Sequence, residues 1–157
     1  MRVDLIDVKT EYEALNAYLL KVGNDDDQQA MSELKQYVID DEGSWALGEN
    51  FPGFIGKWLN DDQPSNDDLR VKLLSVLSVA ALKDDFILLL HQDRRDHVFM
   101  NYAHNVDRLP VTEQEALAIF VSHIYIHSFI HSIINNKTMA VTYYNNFSQI
   151  CVFVKVC

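Results

Sequence analysis

The chain has 157 residues, 48% of them apolar and 23% charged, which fits one domain of ordinary size with a core of its own. Its 13 Lys and Arg against 23 Asp and Glu give a net charge of −10, so it lacks the cationic face that a nucleic-acid backbone or an anionic membrane surface demands. Two cysteines, Cys151 and Cys157, cannot build a disulfide framework, and Met1-Arg2-Val3-Asp4 does not open a signal peptide; the expected setting is reducing, cytoplasmic or nuclear.

Residues 3–22 read as an amphipathic helix, because Leu5, Val8, Tyr12, Leu15, Leu19 and Val22 recur at three- and four-residue steps and share one face. Gly23 stops it. Asn24 is placed to cap the next helix, with Asp25, Asp26 and Asp27 in a first turn whose dipole favours acids. That helix turns Met31, Leu34 and Val38 inward and ends near Asp40. Gly43 and Gly48 punctuate a loop that holds Trp45. Pro52 suits the first turn of a third helix with Phe54, Ile55, Trp58 and Leu59 as its apolar set.

Pro64-Ser65-Asn66-Asp67 is a further start signal. The helix it opens, 67–82, is apolar on nearly every side, through Leu69, Val71, Leu73, Leu74, Val76, Leu77, Val79, Ala80 and Ala81. Arg70, Lys72 and Lys83 leave too short an uncharged run to span a membrane, so this is a central, buried helix. Asp84-Asp85 starts a short piece over 86–91, and another follows over 94–105 with Val98, Met100 and Tyr102. Pro110 breaks the chain. Thr112-Glu113-Gln114-Glu115 has the form of a capping box and opens a helix carrying Leu117, Ile119 and Phe120. No segment before 121 alternates as a strand, whereas 139–144 and 150–156 have strand composition. The body is therefore expected to be all-α.

Charge divides unevenly along this body and its tail. Every acidic residue lies at or before Glu115, and residues 116–157 carry only Lys137 and Lys155. From His123 the sequence repeats with a four-residue period: His-Ile-Tyr-Ile, His-Ser-Phe-Ile, His-Ser-Ile-Ile. The reading that follows is a helical fragment over 1–121 and a low-complexity tail over 122–157. Val121-Ser122 can be encoded by a typical eukaryotic intron start, so the tail is read as intron-derived or as an alternative C-terminus.

Chemistry-bearing residues are sparse. His91, His97 and His104 stand at steps of six and seven, which do not put imidazoles on one helix face, and Arg94 and Arg95 among them repel a cation. With Asp93 and Asp96 they read as a solvated helix end. His123, His127 and His131 do have the i, i+4, i+8 spacing of a helical zinc face, with no carboxylate nearby in sequence to orient the rings. The spacing also follows from the repeat itself. An EF-hand starting at Asp25 would need Gly and Glu where Ala30 and Gln36 stand, so those acids are helix-start residues. There is no nucleophile elbow and no phosphate loop. Trp58 is expected to pack, and Trp45 to pack or to form a binding platform. No cofactor, metal or catalytic residue is expected.

The stretch from Ser44 to Val121 resembles the PUL domains, which are armadillo-like. The resemblance lies in Leu69-Arg70-Val71-Lys72-Leu73-Leu74, continued through Ala80-Ala81-Leu82-Lys83-Asp84-Asp85-Phe86 and Phe99-Met100-Asn101-Tyr102-Ala103. It implies an armadillo/HEAT-like α-solenoid fragment and a non-enzymatic scaffold whose groove holds a protein or peptide. The partner it implies is the C-terminal tail of the p97/Cdc48 ATPase, in the ubiquitin pathway. Such domains are longer than this body, so the chain would hold their first part. Two further expectations stand beside it: a helical protein with a membrane-associated C-terminal helix, and a zinc site on His123, His127 and His131.

Overall fold

The first two helices of this chain begin where a side chain satisfies a free backbone N–H group. The computed structural model describes residues 7–61, 66–86, 88, 89 and 97–135, with the backbone alone for Met100 and residues 128–135. Helix α1 spans Val8–Val22, and its Asp7 cap accepts from the Lys9 N–H at 3.2 Å and from the Thr10 hydroxyl at 2.6 Å. Helix α2 spans Asp25–Val38 behind a reciprocal capping box: Asn24 accepts from the Asp27 N–H, and Asp27 accepts from the Asn24 N–H, both at 2.9 Å. A 3-10 turn over Ser44–Ala46 leads to α3, Phe51–Leu59, with Pro52 in its first turn. Helix α4 spans Asp67–Ala80, α5 Val98–His104 and α6 Val111–Asn135, with a 3-10 turn over Val106–Arg108 before α6. Residues 86, 88 and 89 are also helical. Among the described residues there is no strand, so the expected all-α class holds.

Helix α4 is central, as its apolar circumference requires. It packs on α1 and on α6, and also touches α2; α1 packs on α2, and α3 on α2 and α5. Leu69, Leu73, Leu74, Val76, Leu77 and Ala80 of α4 meet Tyr12, Leu15 and Leu19 of α1, Met31, Leu34 and Tyr37 of α2, and Leu117, Phe120 and Val121 of α6 in one core. Phe120 adds two aromatic contacts, edge-on to Phe86 at 6.0 Å and tilted against Phe99 at 5.4 Å. The expected apolar set of α3, including Trp58, is buried.

Several boundaries and faces differ from the sequence reading. Val22, expected on the buried face, is exposed. Leu5 lies outside the described residues. Helix α6 begins at Val111, so Thr112 is inside it and no Thr112–Glu115 capping box forms; the Pro110 carbonyl accepts from the Gln114 N–H at 3.0 Å instead. Glu113, one residue in, is fully buried. Ile119 faces outward. The fifth helix begins at Val98 after His97, whose φ of 50° turns the chain. The composition break at Val121-Ser122 falls inside α6, which continues through it, and Ile124 beyond it belongs to the core. The two strand-like segments of the tail lie outside the described residues.

Candidate binding groove

An open groove of about 760 Å³ lies between α2 and α3. Its two walls follow from helical spacing. Asp26, Ala30 and Glu33 recur at steps of four and three on α2, and Asn50, Gly53 and Lys57 at steps of three and four on α3, so each set faces the other. Phe51, Pro52 and Phe54 supply apolar lining, the two rings 5.8 Å apart. Gly48 and Glu49 close one end. A Cβ built on Gly53 meets nothing within 4 Å, so the groove is open at that point of the α3 wall.

At the other end the groove is built on Asp27. Its carboxylate is buried and takes three donors: Lys57 Nζ at 2.6 Å and the Asn24 backbone N–H at 2.9 Å on Oδ2, and Trp58 Nε1 at 3.1 Å on Oδ1. Burial raises the Asp27 pKa, but these hydrogen bonds outweigh it and hold the group below the usual carboxylate range. Asp27 is therefore an anion that ties α3 to the start of α2. Lys57 also lies 4.8 Å from the Trp58 ring centre. Glu33 holds the far end, accepting from the Gly48 N–H at 2.9 Å and from Gln29 Nε2 at 3.1 Å. With Lys57 committed to Asp27, the groove keeps a negative surplus from Asp26, Glu33 and Glu49.

Two other polar clusters are closed on themselves. Arg70 of α4 donates through Nε to Glu113 Oε1 at 2.7 Å, through Nη1 to the Asp61 carbonyl at 2.6 Å, and through Nη2 to the Asp67 carboxylate. Tyr102 donates to the second oxygen of Glu113 at 2.7 Å. Burial first, and then the bond to Glu113 and its charge, push the Tyr102 phenol above its usual range. Every charged group of this cluster has a partner, so it has the character of a brace between α4, α5 and α6. The second cluster holds the 40–48 loop: Asp85 accepts from the Tyr37 hydroxyl at 2.6 Å and from the Ser44 N–H, while Lys83 donates to the Tyr37 carbonyl at 2.7 Å, to Asp41 at 2.8 Å and to the Glu42 carbonyl at 3.0 Å.

The histidines fall differently from the sequence reading. His123 Nδ1 donates to the Ser78 carbonyl at 2.7 Å, and His127 Nε2 to Asp84 at 2.9 Å. A carboxylate thus does orient one ring, brought in from 43 residues away, although none is near in sequence. The side chain of His131 lies outside the described residues, as do His91, Asp93, Asp96, Cys151 and Cys157. Among the described residues no group of three or more His, Cys, Asp or Glu side chains is arranged to hold a metal ion. His97 and His104 stand at opposite ends of α5. Among the described residues no helix is long and apolar enough to cross a membrane. Asp25, Asp26 and Asp27 are first-turn residues of α2, as expected. Sequence reasoning missed the groove because its lining looks like two ordinary solvated helix faces; Gly53 within α3 was the available signal.

No family model, curated protein or solved structure matches the chain.

Proposed function

We propose that this chain is a non-catalytic, armadillo-like interaction module that holds an extended peptide in the α2–α3 groove. The observation that carries the reading is the pairing of helices three elements apart. Helix α1 packs on α4, and, once the helical residues 86, 88 and 89 are counted as an element, α3 packs on α5 and α4 on α6 at the same step. From Phe51 to Val98 is 47 residues and from Asp67 to Val111 is 44, within the period of roughly 40–47 residues of three-helix repeats, whereas from Val8 to Asp67 is 59, so the first pair is longer than one period. Each repeat covers its neighbour's apolar face, which is how a solenoid builds a core. A PUL-type fragment and a place in the ubiquitin pathway belong to the same proposal and rest on the resemblance of residues 44–121.

The groove's chemistry favours a particular peptide. Apolar lining from Phe51, Pro52 and Phe54 beside the carboxylates of the α2 wall and Glu49 suits a segment that alternates apolar and basic side chains. The p97/Cdc48 tail remains the partner the resemblance implies, but the negative surplus disfavours an acidic tail. The test is fluorescence anisotropy with three labelled peptides: one of Arg and Leu, its Glu and Leu mirror, and the p97/Cdc48 C-terminal tail. Binding of the Arg-Leu peptide, lost on Gly53→Leu, is the expected result. A Leu there points into open groove space and replaces a helix-interior glycine, so the fold is retained or stabilised by about 0.5–1 kcal/mol. Equal binding of both mirror peptides, or binding indifferent to Gly53→Leu, removes the groove from the reading.

A further inference from the structure

Trp45 is the most exposed of the large apolar side chains among the described residues, at 77%. An indole in water is ordinary on a frayed loop, but this loop is held at every side. The Ser44 N–H is bonded to Asp85, Ala46 is buried, Leu47 packs on the core, and the Gly48 N–H is bonded to Glu33. On the near side, Lys83 binds the Glu42 carbonyl and the Asp41 side chain, with Asp41 in the left-handed region at φ 56°. The ring itself lies against Gly43, where an added Cβ would stand 2.8 Å from Cδ1, so a side chain at position 43 would push the indole aside. The held backbone thus presents an aromatic ring outward, with no partner for its N–H among the described residues.

Beside Gly43 is a shallow depression of about 470 Å³ lined by Asp41, Glu42, Leu82, Lys83, Asp84 and Asp85. Leu82 is half exposed, and the Asp41 and Asp84 side chains are almost wholly in water. Lys83 is turned to the loop and pairs with Asp41 Oδ1 at 2.8 Å, and His127 Nε2 lies 2.9 Å from Asp84 Oδ1, so one oxygen of each carboxylate is engaged while both side chains stay open to a further donor. The surface is therefore an indole and a leucine beside outward carboxylates. We infer that the Trp45 loop is a docking surface for a basic segment of another protein, which seats an arginine against the indole face, its charge answered by Asp41 and Asp84 and its neighbouring apolar side chain on Leu82. A guanidinium stacks on an indole and pairs with carboxylates at once, which a lysine does less well. Fixing the ring in advance removes ordering cost from binding. This deepens the reading of an interaction module but uses a surface separate from the groove.

The test is a titration with a short peptide of alternating Arg and Leu, read by tryptophan fluorescence and by anisotropy of a label on the peptide, against the full chain and its Trp45→Ala, Asp41→Asn and Gly53→Leu variants. Trp45 is exposed and Asn tolerates the left-handed region, so the first two variants keep the fold, checked by far-UV circular dichroism. The expected result is a loss of affinity of about fivefold or more for Trp45→Ala and a smaller loss for Asp41→Asn, with a Lys-Leu peptide weaker than the Arg-Leu one. Loss with Gly53→Leu and not with Trp45→Ala overturns this inference and leaves the groove standing. Loss with Trp45→Ala alone supports the loop and sinks the groove. Binding unchanged in all variants, or no binding, overturns the docking surface.

Discussion

The guanidinium of Arg70, in the first turn of the apolar helix α4, points its Nε at Oε1 of Glu113 across 2.7 Å, and Glu113 has no exposed surface at all. Two opposite charges buried together are stable only while each has the other. Arg70→Met should leave Glu113 uncompensated and cost about 3–5 kcal/mol, and Glu113→Gln should leave Arg70 with Asp67 and the Asp61 carbonyl and cost somewhat less. The double variant should cost less than the two single changes together, by about 1–3 kcal/mol. Urea unfolding of the four proteins measures this coupling, and strict additivity would show that the brace contributes nothing as a pair.

Much of the fold could be read from the residues because caps and apolar rows are local. Asn24, Pro52 and the rows of α1, α3 and α4 announce themselves within one or two turns. What periodicity does not carry is what a face meets. Glu113 looked like part of a helix start, but its partner lies 43 residues earlier on α4. Arg70 was the clue, since a charge on a helix that is apolar all round needs a counter-charge from elsewhere. Tyr37 went unremarked for the same reason: its burial is set by the end of α4 and by Asp85, 48 residues on. The groove escaped because a polar wall facing another polar wall has the same sequence as two walls facing water.

The 40–48 loop should depend on a single carboxylate. Asp85 satisfies both the buried Tyr37 hydroxyl and the Ser44 N–H, so Asp85→Ala strands two donors and should cost about 1–3 kcal/mol. The loss should be local first. Amide hydrogen exchange at Ser44 and protease cleavage within the loop should rise at denaturant concentrations where the α4 amides remain protected. Unchanged exchange at Ser44 would mean that Lys83, Glu33 and the buried Ala46 hold the loop without Asp85.

Stability should fall off at both ends of the pH scale, for separate reasons. Asp27 is buried and Asp85 partly buried, which raises their pKa values, yet their hydrogen bonds bring both below the usual range. Their contribution is therefore fully present above about pH 4, the unfolded value, and is lost as pH falls through the lower folded values. Tyr37 and Tyr102 are raised, by burial first and then by bonds to Asp85 and Glu113. Their contribution is present below about pH 10 and is lost above it, because only the unfolded chain releases those protons readily. Thermal melts across pH 2–12 in about 1-unit steps should give a plateau between these limits. Asp27→Asn should lower the plateau and flatten the acid limb; an acid limb as steep as before would assign it to other carboxylates.

The two described histidines of α6 should act as pins and not as metal ligands. His123 reaches the Ser78 carbonyl at the end of α4, and His127 reaches Asp84 just beyond it, so one face of α6 is tied down over a full turn past Val121. Each bond is worth about 0.5–1.5 kcal/mol, and Asp84 is largely exposed, which puts the second at the low end of that range. The double change to alanine should therefore fray α6 from its C-terminal end, lowering amide protection after Ile124 by about tenfold, while Leu117 and Phe120 stay protected by the core. Adding zinc to the unaltered protein should leave that exchange pattern and the melting temperature where they are, because among the described residues no third His, Cys, Asp or Glu side chain stands with these rings to complete a metal site. A zinc-dependent rise in melting temperature that vanishes in the double variant would instead mean that the two rings bind metal through their other nitrogens.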